Sequence, residues 1–349
     1  MLARLREEIG RNDGWISFAR YMELVLHEPG LGYYAAGARK FGAEGDFVTA
    51  PELGALFGRT LARQLEALAF REVLEVGAGS GALADTLLRQ GQLDYRILET
   101  SPDLRLRQQT RLGARARWID QLPRRLRGVV IANEVLDAMP VHAVAWRADG
   151  IMERGVSLHA DKLAWSERPA TGGLLQEAQA IGAQPPYESE IGLVASAWMR
   201  ELAGRLDTGV IFVIDYGFPR REFYHPQRAT GTLMCHYRHR AHDDPFARPG
   251  EQDITAHLDF SALAAAAAQA GLDVLGYATQ AQFLVNCGIT EVLAEANLDN
   301  ALHYAPLAAE AQKLLSPAEM GELFKVLAVG KGVAAPLLGF ARGDRAASL

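Results

Sequence analysis

The stretch Val73-Leu-Glu-Val-Gly-Ala-Gly-Ser-Gly81 constrains the fold more tightly than any other part of the chain. It reads as a short buried strand, a turn with glycine at every second position, and a helix from about Ala82. Gly77, Gly79 and Gly81 allow a sharp turn and let a ligand approach the backbone with no Cβ in the way. The helix beyond them would aim its unpaired N–H groups and positive dipole end at that ligand. Glu75, two residues before the first glycine, falls on the rim of the same strand.

Two cofactors fit this element. Gly77-Ala-Gly-Ser-Gly-Ala82 satisfies the dinucleotide pattern G-x-G-x-x-G/A, so the glycines alone leave a nicotinamide oxidoreductase open. The fuller pattern E-x-G-x-G-x-G favours S-adenosylmethionine, which carries no pyrophosphate and has an ammonium that calls for a carboxylate; Glu75 could supply or relay one. A plain strand-to-helix turn with no ligand is the remaining alternative. It leaves three alternating glycines without a use.

Bulk properties narrow the class. The 349 residues suffice for one large domain or two small ones. A net charge of −6 argues against a general nucleic-acid binder, which usually presents a basic face. The two cysteines, Cys235 and Cys287, stand apart from any metal-type spacing and read as reduced core thiols of a reducing compartment. No run approaches the roughly 18 apolar residues of a membrane span, and the N-terminal residues, with Glu7 and Glu8, do not read as a targeting segment. The expectation is a cytoplasmic protein with no metal site.

In chain order, residues 1–28 read as helical, with Ser17 capping a second helix. A long glycine-rich loop follows, up to Gly45-Asp-Phe-Val-Thr-Ala-Pro-Glu52, and Thr49, Pro51 and Glu52 are expected in a lid over the cofactor. Beyond the glycine turn, Arg96–Glu99 is a second strand. Glu99 lies where a ribose-binding carboxylate belongs, with Thr100 beside it. Residues 116–119 form a third strand ending in Asp120, a candidate acceptor for an adenine amino group. Gly128–Ala132 is a buried fourth strand that runs into Asn133-Glu-Val-Leu-Asp-Ala-Met-Pro140. Residues 141–168 alternate as a β-meander, 171–186 as a loop-rich connection, and 188–206 as a helix. Val210–Ile214 is a fifth strand ending in Asp215-Tyr-Gly217. Residues 218–258 look irregular and rich in Arg and His. A helix at 261–270, a sixth strand at 272–278, a helical stretch over 281–322 and a last strand at 324–329 complete the chain.

Strands alternating with helices imply a parallel sheet with helices on both faces, and ligands bind at the carboxyl ends of such strands. Gly77–Gly81 with Ala78, Glu99, Asp120, Asn133–Asp137 and Asp215 all fall at those ends. The division this suggests is 1–69 as N-terminal helices and lid, 70–140 and 187–349 as the core with its helical insertion at 281–322, and 141–186 as an inserted meander for substrate or partner recognition.

Several long strings resemble the MidA-like family of S-adenosylmethionine-dependent methyltransferases. They include Ile16-Ser-Phe-Ala-Arg-Tyr-Met22, His27-Glu-Pro-Gly-Leu-Gly-Tyr-Tyr34, Asn133-Glu-Val-Leu-Asp-Ala-Met-Pro-Val-His142, Asp253-Ile-Thr-Ala-His-Leu-Asp-Phe260 and Phe324-Lys-Val-Leu327, besides the glycine turn. The resemblance runs almost end to end. It implies a class I methyltransferase fold, a Rossmann-like parallel α/β sheet with helices on both faces, and S-adenosyl-L-methionine as cofactor. Mitochondrial members are complex I assembly factors that methylate an arginine, so a protein substrate, such as a complex I subunit, is implied as well.

Methyl transfer from a sulfonium is an in-line displacement that depends on alignment and exclusion of water. A guanidinium nucleophile stays protonated to a pKa above about 12 and needs carboxylates to orient it. Glu134 and Asp137 suit that role. Their spacing of three puts them on one face if a helical turn begins there, and Asn133 could offer its carbonyl to a substrate N–H or to the cofactor. A helix cap is the alternative for Asn133 or Asp137. Tyr33 and Tyr34 are candidates for the substrate channel or for core packing. His236, His239 and His242 recur at every third residue, and a solvated or substrate-contacting segment suits them better than a metal site. Methylation of a small molecule, or a cofactor-binding assembly protein without turnover, are the competing functions.

Overall fold

In the computed structural model, which describes residues 1–35, 49–238, 240–295 and 301–349, alternation along the central strands builds two cores at once. Strand side chains point to opposite faces by turns. Val73, Val129, Ile131, Val210, Phe212 and Val326 face one core, and Leu74, Val130, Ala132, Ile211, Val213 and Leu327 face the other.

The strands are β1 (Trp15–Ser17), β2 (Glu72–Val76), β3 (Asp94–Leu98), β4 (Ala116–Ile119), β5 (Leu126–Asn133), β6 (His142–Arg147), β7 (Gly150–His159), β8 (Lys162–Pro169) and β9 (Tyr187–Ile191). They continue as β10 (Leu206–Phe218), β11 (Met234–Tyr237), β12 (Arg240–His242), β13 (Asp253–Thr255), β14 (Leu258–Asp259), β15 (Asp273–Thr279) and β16 (Phe324–Lys331). The helices that matter below are α1 (Leu2–Arg11), α2 (Phe18–His27), α3 (Ala50–Leu53), α4 (Leu56–Leu68), α5 (Ala82–Gln90), α6 (Pro102–Leu112), α7 (Gly172–Ile181), α8 (Leu193–Arg205) and, later in the chain, α9 (Phe260–Gln269).

The main sheet runs in the order β15-β16-β10-β5-β2-β3-β4. From β10 to β4 every pairing is parallel. Only β16 runs the other way, antiparallel to both β10 and β15. The expected α/β sheet is present with this one reversed strand, which slots between β10 and β15 after the helices of 280–294 and 301–323. Helices α4 and α5 pack on one face and α8 and α9 on the other, contributing Leu61, Leu65, Leu83 and Leu87 to the first core and Met199, Leu202, Phe260 and Leu263 to the second.

A second sheet, β1-β7-β6-β9 with β8 also on β7, is antiparallel throughout. One face packs on α1 and α2 through Leu5, Ile9, Phe18 and Val25 against Ala143 and Val156. Trp146, Tyr187 and Ile191 meet Leu174 and Ala178 of α7 on the other side. Four sequence readings are corrected here. Residues 15–17 are a strand rather than part of a helix. The stretch 171–186, expected as loop, contains α7. Residues 187–191, assigned to the core and mostly to a helix, are the sheet's fourth strand, so the insertion extends past 186 and α8 starts only at Leu193. The segment 218–258 carries the small sheet β12-β11-β13 rather than being irregular. The Ser17 cap forms as expected, its Oγ accepting the Arg20 N–H at 3.1 Å. No helix of the described residues is long and apolar enough to cross a membrane.

Phe212 is 0% exposed at the centre of β10. Phe212→Ala leaves a cavity in the first core, and denaturant unfolding should show a loss of about 3–5 kcal/mol. A loss under about 1 kcal/mol would contradict this packing, because a filled core site cannot collapse that freely.

Candidate active site

The strand ends of the main sheet deliver the glycine turn and a set of acids to one cleft, which encloses about 860 Å³ of empty space, part of it open to solvent. Parallel register does the alignment. Val76 pairs with Leu98 and with Ala132, and Asn133 pairs with Ile214. The residues just beyond those pairs therefore emerge side by side.

The turn closes as the sequence requires. Gly77 donates its N–H to the Leu98 carbonyl at 3.0 Å, and Gly81 to that of Ala78 at 2.8 Å. Gly77, Gly79 and Gly81 have φ of 63°, 54° and 80°, the left-handed region that suits glycine. A Cβ at Gly79 would meet nothing within 4 Å, so the backbone there faces open space. Gly81, by contrast, does not line the cleft; it stands at the N-cap of α5 with its Cα against Gln108 and Leu112.

Of the residues expected at the site, Glu75, Gly77, Ala78, Gly79, Glu99, Thr100, Asn133 and Glu134 line the cleft, and so do Thr49, Pro51 and Glu52 from the opposite wall. Thr49 precedes α3 without making a side-chain cap. Glu52 accepts a hydrogen bond from Ser80 of the glycine turn, and Ala50 donates its N–H to Glu134 Oε1 at 3.2 Å, so α3 is fastened across the cleft at two points. The rest of the expected lid, 36–48, lies outside the described residues, as does His239.

Besides Gly81, two expected residues are placed elsewhere. Asp120 ends β4 at the sheet's edge, pairs with Arg105, and leaves 83% of its side chain exposed. It lines a shallow depression with Trp118 and Arg124 rather than the cleft. Asp137 is 7% exposed and does not line the cleft. No helix begins after β5, so Glu134 and Asp137 do not share a helical face and neither is a helix cap. Tyr34 lines the cleft, whereas Tyr33, 2% exposed, belongs to the core around α2.

The acids are held under conditions that oppose ionisation. Burial pushes the Glu75 carboxyl up to about 7, against the bond its Oε2 accepts from the Tyr95 hydroxyl at 2.8 Å. Burial also raises Glu99, whose two oxygens take the Ser101 N–H at 2.9 Å and the Gln108 amide at 2.8 Å. Gln108 in turn donates to the Gly79 carbonyl and accepts from Trp118 Nε1, both at 2.9 Å, tying the turn to the second strand's acid. Burial, and then the charge of Asp137, push Glu134 up to about 8. Asp137 is raised well above the carboxylate range by burial and by Asp215 and Asp253.

Sequence reasoning assigned no role to His27, Tyr95, Gln108 or Asp253. His27 stacks on Tyr34 with ring centroids 5.6 Å apart, and the Tyr34 hydroxyl donates to Asp253 Oδ1 at 2.9 Å. His27, Tyr34 and Asp253 sat inside the recognised strings, but spacing along the chain cannot tell that α2 and β13 meet beside β5. Among the described residues no group of three or more His, Cys, Asp and Glu is arranged to hold a metal.

The chain's residues fit S-adenosylmethionine on three counts. Gly79 leaves room at the turn. Asn133 Oδ1, in the cleft wall, is buried without a hydrogen-bond partner, an acceptor that an ammonium could use. Glu99 is fixed at the tip of β3, where two hydroxyls of a ribose can bond to one carboxylate.

Comparison with known proteins decides the family. A family model described as "Putative S-adenosyl-L-methionine-dependent methyltransferase" matches residues 56–278. The chain belongs to this methyltransferase family. It is similar to a Burkholderia thailandensis protein crystallised with S-adenosyl-homocysteine, at 51% identity and a TM-score of 0.96, covering 100% of this chain and 96% of that one. Curated relatives are more distant. The mitochondrial protein arginine methyltransferase NDUFAF7 homolog of Drosophila melanogaster is 28% identical over 94% of this chain and 85% of its own. The NDUFAF7 protein of Danio rerio is 29% identical over 90% and 83%. The cofactor of this methyltransferase is S-adenosyl-L-methionine, and the class I α/β fold expected for it is the one found.

Gly79→Val places a β-branched side chain at positive φ and fills the open space beside the turn. Calorimetry with S-adenosyl-homocysteine should show affinity reduced by at least about tenfold, the equivalent of one strained residue of about 1–3 kcal/mol. Unchanged affinity would remove the turn from the binding site.

A pH test isolates Glu134. Its carboxyl ionises near 4.5 unfolded and near 8 folded. The folded state therefore binds the proton more tightly, and wild-type stability is lost as pH rises from 4.5 to about 8. Glu134→Gln escapes that loss. Its melting temperature should exceed that of wild type by a gap that opens across this window and stays constant above it. A gap that closes or reverses toward pH 8 would mean that Glu134 is ionised in the folded protein.

Proposed function

We propose that this methyltransferase modifies a protein arginine, with Glu134 receiving the guanidinium. The observation that carries the reading is Glu134 itself: a half-buried carboxyl in the wall of the cofactor cleft, bonded by the Ala50 N–H and by Asn133 Nδ2 at 3.1 Å, and paired with no cation among the described residues. A carboxylate largely withdrawn from water without a positive partner is costly. A guanidinium docking beside it supplies the missing charge and several N–H donors at once. The names of the curated relatives support the same substrate class, and the resemblance points to a complex I subunit as the protein concerned.

The chemistry then divides simply. The bound cofactor supplies an electrophilic methyl group. Glu134 orients the guanidinium and accepts the proton that one nitrogen loses as its new bond to carbon forms. A pKa near working pH, which burial gives Glu134, suits that proton transfer. Asn133, with a free Oδ1, is placed to bind the cofactor ammonium or a substrate N–H. Asp137, set behind Glu134, acts on it electrostatically rather than by contact with substrate. His27 and Tyr34 close the side of the cleft next to α2.

The insertion is the proposed recognition surface. Its strand β8 leaves Glu167, Arg168 and Pro169 exposed, while elsewhere the sheet is committed to the core with α1 and α2 on one side and to that with α7 on the other. A deletion would open both cores, so recognition is better probed by surface substitutions on β8 than by removing the sheet.

Radiolabelled methyl transfer from S-adenosylmethionine to complex I subunits, with mass spectrometry of the product, tests the reading. Glu134→Gln should lower turnover by at least about tenfold, since a lost charge-assisted bond is worth roughly 1.5–3 kcal/mol. Affinity for S-adenosyl-homocysteine should change far less, because Glu99 and the glycine turn carry it. Wild-type turnover in the variant, or label on a residue other than arginine, would reject the assignment.

A further inference from the structure

Between Glu134 and Met139 the chain leaves the sheet and turns without forming a helix. Glu134 has φ of 53°. That conformation is uncommon for a residue with a long side chain, and it persists only where the surroundings hold it. Most of the hold comes from the end of β10. The Glu134 N–H donates to the Ile214 carbonyl at 2.9 Å. The next three N–H groups, of Val135, Leu136 and Asp137, all converge on one oxygen of Asp215, at 3.3, 3.0 and 3.3 Å. The other oxygen takes the N–H of Tyr216 at 2.9 Å. Three successive backbone N–H groups aimed at one anion form a nest. Here the anion is a side chain of the neighbouring strand, 0% exposed. The far side of the turn is tied down by the Ala256 N–H on the Asp137 carbonyl at 3.0 Å.

We propose that Asp215 is a positioning residue for methyl transfer: its carboxylate gathers the N–H groups of 135–137, fixes the left-handed turn at Glu134, and so aims the Glu134 carboxyl into the cleft. The parallel pairing of Ile214 with Asn133 puts Asp215 level with Glu134, where β5 has ended and β10 runs on to Phe218. An aliphatic residue at 215 would take this partner from four N–H groups, two of them fully buried, and the turn would reopen to find others. An asparagine keeps one oxygen for the nest but opposes the Tyr216 N–H with an amide N–H₂, donor against donor. The inference rests on the Glu134 reading for its catalytic consequence, though not for its geometry.

Full-length Asp215→Asn, Asp215→Ala, Glu134→Gln and wild type are compared in three measurements. These are calorimetry with S-adenosyl-homocysteine, steady-state methyl transfer to complex I subunits, and a crystal structure of the Asp215 variants with S-adenosyl-homocysteine. Affinity and the KM for S-adenosylmethionine should stay within about threefold of wild type, while kcat falls by about tenfold in Asp215→Asn and about a hundredfold in Asp215→Ala. In the Asp215→Ala crystal, Glu134 should leave positive φ and its carboxyl should leave the cleft. Should Asp215→Ala not fold, the Asp215→Asn kinetics and crystal carry the test. Wild-type kcat in both Asp215 variants while Glu134→Gln is inactive would overturn the proposal, as would an unmoved Glu134 in the Asp215→Ala crystal. Wild-type kcat in Glu134→Gln would sink the catalytic reading instead, and the crystal would still decide whether Asp215 sets the turn.

Discussion

Parallel pairing of β2, β3, β5 and β10 is the constraint on which the site depends. Each pairing fixes the axial offset of its neighbours, so four chain segments far apart in sequence are aligned at nearly the same height. At that level stand the glycine turn, Glu99, Asn133 with Glu134, and Asp215, the last within β10, which runs on to Phe218. A slip of one residue in any pairing would turn that strand's side chains to the opposite face. It would mix the two cores and withdraw one acid from the cleft. Stability and function thus rely on the same register, and the apolar alternation that holds the cores also sets the position of the acids.

The acids themselves work against the fold. Glu75, Asp137 and Asp215 are buried and Glu134 is half-buried in the cleft wall, and loss of water raises each of them above the ordinary carboxylate range. Backbone N–H groups and the Tyr95 hydroxyl offset part of this, but no arginine or lysine pairs with Glu134 or Asp137 among the described residues. Surface acids of the same chain are treated differently: Glu8 is held down by Arg20 and Arg4, and Glu167 by Arg147. Concentrating unpaired carboxyls at the strand ends makes sense if a cation completes the site. The sulfonium and ammonium of the cofactor are such cations, and the guanidinium proposed as substrate would be another.

The central fold was legible because fully buried strands write themselves as unbroken apolar runs. Gly128–Ala132 and Val210–Ile214 are such runs, and Val73–Val76 and Phe324–Val329 are each broken by one charged residue, Glu75 and Lys325. The insertion was harder. Tyr187-Glu-Ser-Glu-Ile191 carries polar residues at positions that are buried in the fold, where Glu190 is satisfied by the N–H and hydroxyl of Thr232 at 2.8 and 3.0 Å. That bond joins residues more than forty positions apart, so the segment showed no strand signal locally. The glycine turn, Glu99 and Glu134 reach the cleft because their places follow from strand ends alone. Asp120 also ends a strand, but β4 is the sheet's last, and its end looks onto solvent and Arg105 instead. Asp137 was misjudged because a spacing of three implies a shared face only in a helix, and no helix forms there.

If Glu134 receives the guanidinium, the transferable methyl group faces Glu134 within the cleft. A crystal structure of the protein with S-adenosylmethionine measures this directly. The expected result is the ribose hydroxyls on Glu99, the amino acid end beside Asn133, and the methyl group directed to the wall formed by Glu134 and Tyr34. A methyl group directed away from Glu134, with Glu99 free of the ribose, would contradict it.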